Sequence, residues 1–290
     1  MHEFFHDVIL HALEECARLL PFLFLTYLLM EWLEHRASER TTSLLSRAGR
    51  FAPPLGALLG VVPQCGFSTV ASNLYSARIV TAGTLVAVFL STSDEMLPLL
   101  LGGNLPLPKV LAILGYKVLV AIVVGLVLDL VLSLSKREEE SHVHELCESE
   151  GCHCEGGILR SATVHTVKIA LFLLVSIMAI NLVVFLVGEE PLRELLSKIG
   201  VLGHLVCALV GLVPNCAVSV LLTQFYLDGY LSAGAMLAGL LPGAGVGILV
   251  LCRMNRPKAQ TVRLLLLLVG VGILFGLLAD APFLAPLFAI

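Results

Sequence analysis

The chain has 290 residues, of which 58% are hydrophobic and only 14% are charged, and its net charge is -4. A soluble domain carries about 25% charged residues, so this composition excludes an ordinary soluble protein and indicates an all-α integral membrane protein. The small net charge does not indicate a nucleic-acid partner, and we expect the lipid bilayer to be the main partner.

The predicted spans follow from apolar stretches, because a helix needs about 20 mostly apolar residues to cross the hydrocarbon core. The first span lies before residue 31, and only its residues 19–30 are free of charge. The clearest later apolar stretches are residues 110–134, 167–187, 231–252 and 264–278. The sequence therefore predicts a polytopic membrane protein.

An internal repeat relates the two halves of the chain at an offset of 151 residues. Residues 60–65 read Gly-Val-Val-Pro-Gln-Cys, and residues 211–216 read Gly-Leu-Val-Pro-Asn-Cys. The similarity continues after these motifs, and a Pro-amide-Cys triplet at matching positions is not expected by chance. We therefore predict that the two halves share one architecture.

The loop charges predict that the two halves have opposite orientations, because short cytoplasmic loops carry an excess of Lys and Arg. The loop after the first span is basic, whereas its counterpart in the second half is mainly acidic. The next pair of loops reverses this difference, since residues 102–108 are neutral and their counterpart carries Arg253, Arg256 and Lys258. This pattern is typical of the inverted-topology repeats of secondary transporters.

One segment in each half is predicted to be a re-entrant hairpin, since two full crossings would return the chain to the face that it left. Residues 51–76 form the first hairpin, with its tip at Pro63-Gln64-Cys65-Gly66, because proline removes a backbone donor and ends a helix. Residues 202–227 form the second hairpin. Each half then has three full spans and one hairpin, which gives ten segments with both termini outside.

The two hairpin tips are the first predicted substrate site. Each tip carries an amide and a cysteine, which are Gln64 and Cys65 in the first half and Asn215 and Cys216 in the second. Thiolates suit soft metals and, by extension, trivalent arsenic, and broken helices direct backbone groups toward a bound species. The alternative is that cysteine is only a small residue that lets the tips approach. The matched serines Ser68 and Ser219 belong to the same predicted site.

A second predicted site interrupts an apolar span with Ser91, Asp94 and Glu95, which align with residues 242–246 of the other half. A carboxylate near the bilayer centre is costly, so it normally faces an aqueous pathway and binds a cation or a proton. The alternative is a pair of acids at the membrane edge. Isolated polar residues in other spans, such as Asp129, are expected to serve packing or a span end.

Residues 136–160 are predicted to form a cytoplasmic linker between the first repeat, residues 1–135, and the second, inverted repeat, residues 161–290. Imidazole and thiolate ligands at close spacing can bind zinc or a softer metal. The linker supplies His142, His144, Cys147, Cys152, His153 and Cys154. We favour a metal acceptor or sensor here, and a disordered acidic linker is the alternative.

The Pro-Gln-Cys-Gly tip, the Glu31-Trp-Leu-Glu34-His35 end of the first span and the His/Cys linker are similar to one known family. The chain resembles, over nearly its whole length, a prokaryotic family of ten-segment heavy-metal exporters whose members are called arsenic efflux protein or manganese transporter. This resemblance implies a multi-pass permease of the prokaryotic plasma membrane that exports a toxic metal, metalloid or related compound.

The predicted function is therefore secondary active transport, coupled to protons, since no nucleotide-binding motif is present. The cysteines of the tips would contact the substrate, the amides would orient it, and Asp94 would take the cation or proton. A divalent-cation transporter of the manganese type and an organic-anion permease remain open. A passive channel is disfavoured, because no ring of charge indicates a pore filter.

An intramembrane enzyme is the alternative of a different class, with Cys65, His204 and Asp94 as nucleophile, base and orienting group. The duplicated motif argues against it, since a catalytic group need not occur in both halves, and we predict no enzymatic activity. No cofactor is expected apart from a metal ion in the linker or at the transport site. The sequence leaves a homodimer open.

Overall fold

The computed structural model describes residues 52–62, 65–93, 96–102, 105–134, 158–187, 202–256 and 258–288, with single positions between residues 10 and 28. These residues form helices joined by short turns, and no strand occurs among them. The predicted all-α class is therefore confirmed for the part of the chain that is described.

Five helices whose bounds the structure describes belong to the first half of the chain, after residue 51. They are α1 (Ala52–Gly60), α2 (Cys65–Ser76), α3 (Ala82–Ser91), α4 (Met96–Gly102) and α5 (Leu107–Leu134). The long helix α6 (Ile158–Val187) follows the linker. The second half contains α7 (Leu202–Gly211), α8 (Cys216–Leu227), α9 (Ala233–Leu240), α10 (Gly247–Met254), α11 (Lys258–Ala279) and the short α12 (Ala285–Phe288).

Four apolar segments, one of which runs across the undescribed residues 94 and 95, are long enough to cross a membrane, which confirms a multi-pass protein. They are Ala82–Gly102, Leu107–Ser133, Ala162–Ala179 and Lys258–Ala279. The outward faces of α5 and α11 carry leucines such as Leu119 and Leu266, which are 60% and 67% exposed. Such faces are stable only against lipid or another apolar surface.

The predicted hairpins are made of helices that are too short to cross alone. Helix α1 has 9 residues and α2 has 12, so at 1.5 Å per residue they reach only about 14 and 18 Å. Helices α7 and α8 have 10 and 12 residues.

The two helices of each predicted hairpin are separated by a break before Cys65 and before Cys216, as the prolines predict. The prediction placed Cys65 in the turn, but the structure places it at the start of α2, since a residue two positions after proline is free to adopt helical geometry.

A second interruption lies in each half at the predicted position. Helix α3 ends at Ser91 and α4 begins at Met96, while α9 ends at Leu240 and α10 begins at Gly247. Gly245 has a φ of 51°, a left-handed conformation that glycine adopts at little cost. Each of these apolar segments is therefore two half-helices rather than one continuous span.

The helices of the two halves correspond in position. Helices α2, α3, α4 and α5 begin 151 residues before α8, α9, α10 and α11 respectively. The packing corresponds as well, since α3 packs against α1 and α5, and α9 packs against α7 and α11.

An aspartate near the end of α5 holds the start of α3. The Asp129 carboxylate accepts hydrogen bonds from the Thr81 hydroxyl at 2.6 Å and from the Gly83 N–H at 2.8 Å. The Thr81 hydroxyl oxygen in turn accepts from the Thr84 N–H at 3.1 Å, as an N-cap does. The expected packing role of Asp129 is confirmed by these bonds.

The same arrangement recurs 151 residues later. The Asp280 carboxylate accepts from the Ser232 hydroxyl at 2.5 Å and from the Gly234 N–H at 2.8 Å, and the Ser232 oxygen accepts from the Ala235 N–H at 3.1 Å. In both halves an acidic side chain thus accepts from one free N–H group of a half-helix and from its N-cap hydroxyl, and so fixes the half-helix to a long helix.

The two halves are joined by crossed packing. Helix α2 packs against α10, and α8 packs against α4. The Ser72 hydroxyl donates to the Gly247 carbonyl at 2.8 Å. A Cβ atom on Gly247 would lie 2.7 Å from the Cβ of Ser68, which is closer than real Cβ atoms approach one another, so only glycine allows this contact.

We expect the substitution Asp129→Ala to destabilise the protein by about 1 kcal/mol, because it removes the acceptor for the start of α3. The measurement is denaturation of the detergent-solubilised protein. The control is Ser133→Ala on the same helix, whose exposed hydroxyl donates only to the Leu130 carbonyl. Equal stability of the two variants would contradict the role given to Asp129.

We expect Gly247→Ala to lower the free energy of unfolding by about 2 kcal/mol, because the added methyl group forces α10 away from α2. Gly270→Ala is the matched control, since a Cβ atom at Gly270 meets nothing within 4 Å. Thermal unfolding in detergent would show a lower midpoint for Gly247→Ala alone. A Gly247→Ala protein as stable as the control would rule out a tight contact between the halves at this point.

Candidate functional site

The chain segments that follow α1 and α7 lie next to the helix interruptions. In the first half, the Ser93 hydroxyl donates to the Val61 carbonyl at 2.5 Å, which ties the interruption after α3 to the turn after α1. In the second half, a Cβ atom on Gly211 would lie 1.9 Å from the Gly239 carbonyl oxygen, so the ends of α7 and α9 touch through their backbones. Each half therefore brings two irregular segments together.

A small cavity lies where the second turn meets the second interruption. Its volume of about 20 Å³ is enough for one water molecule. The cavity is lined by residues including Gly211, Asn215, Ser219, Gly239, Leu240 and Gly243. The structure thus brings the predicted site residues Asn215 and Ser219 to one cavity.

Asn215 is placed there by the turn between α7 and α8. Its N–H donates to the Val213 carbonyl at 2.8 Å, and its own carbonyl accepts from the Val218 N–H at 3.2 Å in the first turn of α8. The residue is 5% exposed, and Ser219 follows one turn later and is half-buried. The amino-terminal end of α8, which carries a partial positive charge, therefore lies beside the cavity.

The predicted serines of the first half are buried. Ser68 lies in α2 against Gly247 of the other half. The Ser91 hydroxyl donates to the Val88 carbonyl at 3.0 Å, and it lies so close to Gly60 that a Cβ there would be 2.1 Å away. Ser91 thus packs the last turn of α3 against the end of α1.

The backbones of Cys65 and Cys216 are described as the first residues of α2 and α8, but their side chains lie outside the described part. Gln64, Asp94 and Glu95 lie outside the described residues altogether. The same holds for the linker residues His142, His144, Cys147, Cys152, His153 and Cys154.

Lys117 is a buried charged residue beside the candidate site that the sequence analysis missed. It lies in the middle of α5 and is 1% exposed. Its ammonium group donates to the Thr92 carbonyl and, at 3.1 Å, to the Leu240 carbonyl. Because Leu240 also lines the cavity, Lys117 lies directly behind the cavity wall and touches both halves of the chain.

A signal for Lys117 was present in the sequence. It is a charged residue within a long apolar stretch, and an ionisable residue inside a span is by default a candidate for function. The average hydropathy of the stretch hides a single charge. The repeat offers no second hint, since the matching position in the other half is Leu268.

The side chain of His204 contacts Asp280 at a position far from the end of α7. Its Nε2 lies 3.0 Å from a carboxylate oxygen of Asp280, which follows the last residue of α11. Burial would raise the pKa of Asp280, but hydrogen bonds from His204, Ser232 and Gly234 outweigh burial and hold that pKa below its usual value. His204 precedes the end of α7 by seven residues, about 10 Å along the helix.

The comparison with known families agrees with this architecture. The family model ArsP_2, described as "Putative, 10TM heavy-metal exporter", matches residues 7–155, which is slightly more than half of the chain. The match includes α1 to α5 and the His/Cys linker. No curated protein and no solved structure matches the chain. On the extent of this match, the chain belongs to the ArsP_2 family of ten-segment heavy-metal exporters.

Proposed function

We propose that this protein is a proton-coupled secondary transporter that exports a heavy metal, a metalloid or a related small toxic compound across the prokaryotic plasma membrane. Membership of the ArsP_2 family supports transport of a heavy metal in general. The choice of substrate and coupling ion rests on the chemistry of the site.

The observation that carries this proposal is the meeting of hairpin turns and helix interruptions around buried polar groups. Irregular backbone is tolerated at membrane depth only where it is buried in protein or lines a wet cavity, and transporters bind substrate at such half-helix ends. The cavity beside Asn215 and Ser219 lies at one of these points. A purely structural protein would have no need for two interruptions in each half.

The proposal includes an inverted repeat with re-entrant hairpins. The aspartate bonds of Asp129 and Asp280, which match at the 151-residue offset, support a common architecture of the halves. The reversed loop charges support opposite orientations. Alternating access would then be a movement of one half against the other around the central site.

The proposed roles follow from the side-chain chemistry. Cys65 and Cys216 begin the second helices of the two hairpins and would bind a soft metal or trivalent arsenic as thiolates. Gln64 and Asn215 would orient the substrate through their amides. The remaining carboxylates and serines of the proposed site would bind the proton or complete the substrate shell: Ser68, Ser91, Asp94, Glu95 and Ser219.

Two alternative functions are a divalent-cation transporter and an intramembrane enzyme, and the observations favour them to different extents. A hard divalent cation such as manganese would favour the carboxylates Asp94 and Glu95 over the thiols. An intramembrane enzyme needs His204 as a base near Cys65, and the bond between His204 and Asp280 argues against that use. The linker would bind metal as an acceptor or sensor in either transport model.

We expect Cys65→Ser and Cys216→Ser each to reduce arsenite efflux by at least tenfold, since one thiolate ligand is lost. Efflux would be measured in vesicles that contain the purified protein. The matched control is Cys252→Ser, which alters an exposed cysteine outside the site and should leave efflux unchanged. If all three variants transport arsenite equally well, the thiols do not bind the substrate.

Asp94→Asn should abolish the dependence of efflux on an imposed pH gradient, because the amide cannot exchange a proton. Asp228→Asn, at an exposed position after α8, is the control.

A panel of arsenite, an organoarsenical, manganese and zinc, tested for growth inhibition of a sensitive host with and without this protein, would identify the substrate. Protection against none of these compounds, with normal membrane expression, would contradict the proposed export of metals.

A further inference from the structure

The ammonium group of Lys117 lies between the carboxyl ends of two half-helices from different halves of the chain. Thr92 directly follows α3, and Leu240 is the last residue of α9. The last carbonyl groups of a helix have no partner within the helix, and the carboxyl end carries a partial negative charge. Two such ends therefore converge on one positive charge.

In transporters with discontinuous helices, this is the environment that binds a coupling ion. Unwound carbonyl groups and half-helix carboxyl ends coordinate sodium ions or protons there. An alkali-metal ion and an ammonium group make similar demands, since both carry one positive charge and both are held by carbonyl oxygens. The difference is that the ammonium of Lys117 is attached to α5 and cannot leave.

We propose that Lys117 is a tethered cation, which takes the place of a free alkali-metal ion between α3 and α9. The inference deepens the proposed transport function, on which its functional part rests. It assigns to the chain a monovalent-cation site formed by the Thr92 and Leu240 carbonyls and filled by the chain itself. The transporter therefore needs no sodium ion at this point.

The cost of the buried charge supports a specific role. A charged side chain within a membrane span is costly to insert, and an apolar residue would pack there without this cost. The matching position, Leu268, is apolar and fully buried. A lysine that served only to fill space would have no reason to differ from it.

The two carbonyl groups that Lys117 contacts also lie next to the proposed substrate site. Thr92 lies one residue before Ser93, which bonds to the first hairpin turn, and Leu240 lines the cavity beside the second. One ammonium group thus links the break after α3 in the first half to a residue that lines the cavity in the second half. The contact with Leu240 spans 123 residues of sequence.

The first test measures stability and does not depend on transport. Lys117→Ala, Lys117→Met and Lys117→Arg would be purified in detergent, with Lys109→Met as the control, because Lys109 is half-buried at the start of the same helix. Thermal unfolding would be followed in ammonium, sodium or choline chloride at equal ionic strength. Choline is too large for the vacated site and controls for screening.

We expect Lys117→Ala to unfold at a clearly lower temperature in choline, and to recover several degrees in ammonium or sodium, because these ions bind the vacated carbonyl groups of the native state. Lys117→Met should lose stability without recovery, since its side chain fills the site. Lys117→Arg, which keeps the charge, should retain more stability than Lys117→Met, and Lys109→Met should behave as the wild type.

Normal stability of Lys117→Met, or a loss in Lys117→Ala that no small cation reverses, would overturn the inference. If Lys117→Ala cannot be purified in choline, recovery of folded protein in ammonium supports the inference, whereas failure in both salts overturns it when Lys117→Met is recovered normally.

Transport provides the second readout. Efflux by the wild type should be the same in sodium and in choline, while efflux by Lys117→Ala should be reduced at least tenfold in choline and partly restored by sodium or ammonium. Absence of metal efflux by the wild type would count against the proposed function, and the unfolding data would still decide the cation site. Sodium-dependent efflux by the wild type would overturn the tethered cation while leaving metal export intact.

Discussion

Backbone groups at the ends of half-helices must be satisfied where the surroundings offer little water, and this constraint governs most of the polar contacts in the molecule. An unpaired carbonyl or N–H group costs several kcal/mol in hydrocarbon. The protein meets the constraint in distinct ways at the two kinds of end. Carboxylates of Asp129 and Asp280 accept from the amino-terminal ends of α3 and α9, whereas the ammonium of Lys117 donates to the carboxyl ends of the same two helices. Each half-helix thus has a negative side chain at its amino-terminal end, where the helix dipole is positive, and a positive side chain at its carboxyl end, where the dipole is negative.

Most of these structural contacts occur in both halves of the chain, whereas the charged groups near the proposed site occur in only one half. The aspartate bonds, the helix starts and the close glycine contacts recur in both halves. Lys117 has no equivalent, and neither does the acidic pair after Ser93, whose counterpart consists of glycine and apolar residues. Under the proposed transport function, the duplicated architecture would allow one half to move against the other, and Lys117 would place a single positive charge between the halves.

Much of the helical architecture could be predicted from the sequence, because the residues that mark the helix breaks lie at the breaks themselves. Proline and glycine predict the interruptions before Cys65 and Cys216, and the polar run at residues 91–95 predicts the break after α3. The contact between Ser72 and Gly247 could not be predicted, since it depends on how two distant helices cross. Lys117 could have been found as a single charge in an apolar stretch, yet two of its partners are the backbone carbonyls of Thr92 and Leu240, which any residue type could supply. Only the structure identifies them.

The crossed packing of the halves has a consequence for biosynthesis. Helix α2 packs on α10, and Ser72 and Gly247 are separated by 175 residues. At about 5–20 residues per second, translation of that interval takes roughly 10–35 seconds. During this time α2 is already made but α10 is not, so the Ser72 hydroxyl does not yet have its partner in the second half. The contact between α2 and α10 therefore forms only after most of the second half has been made.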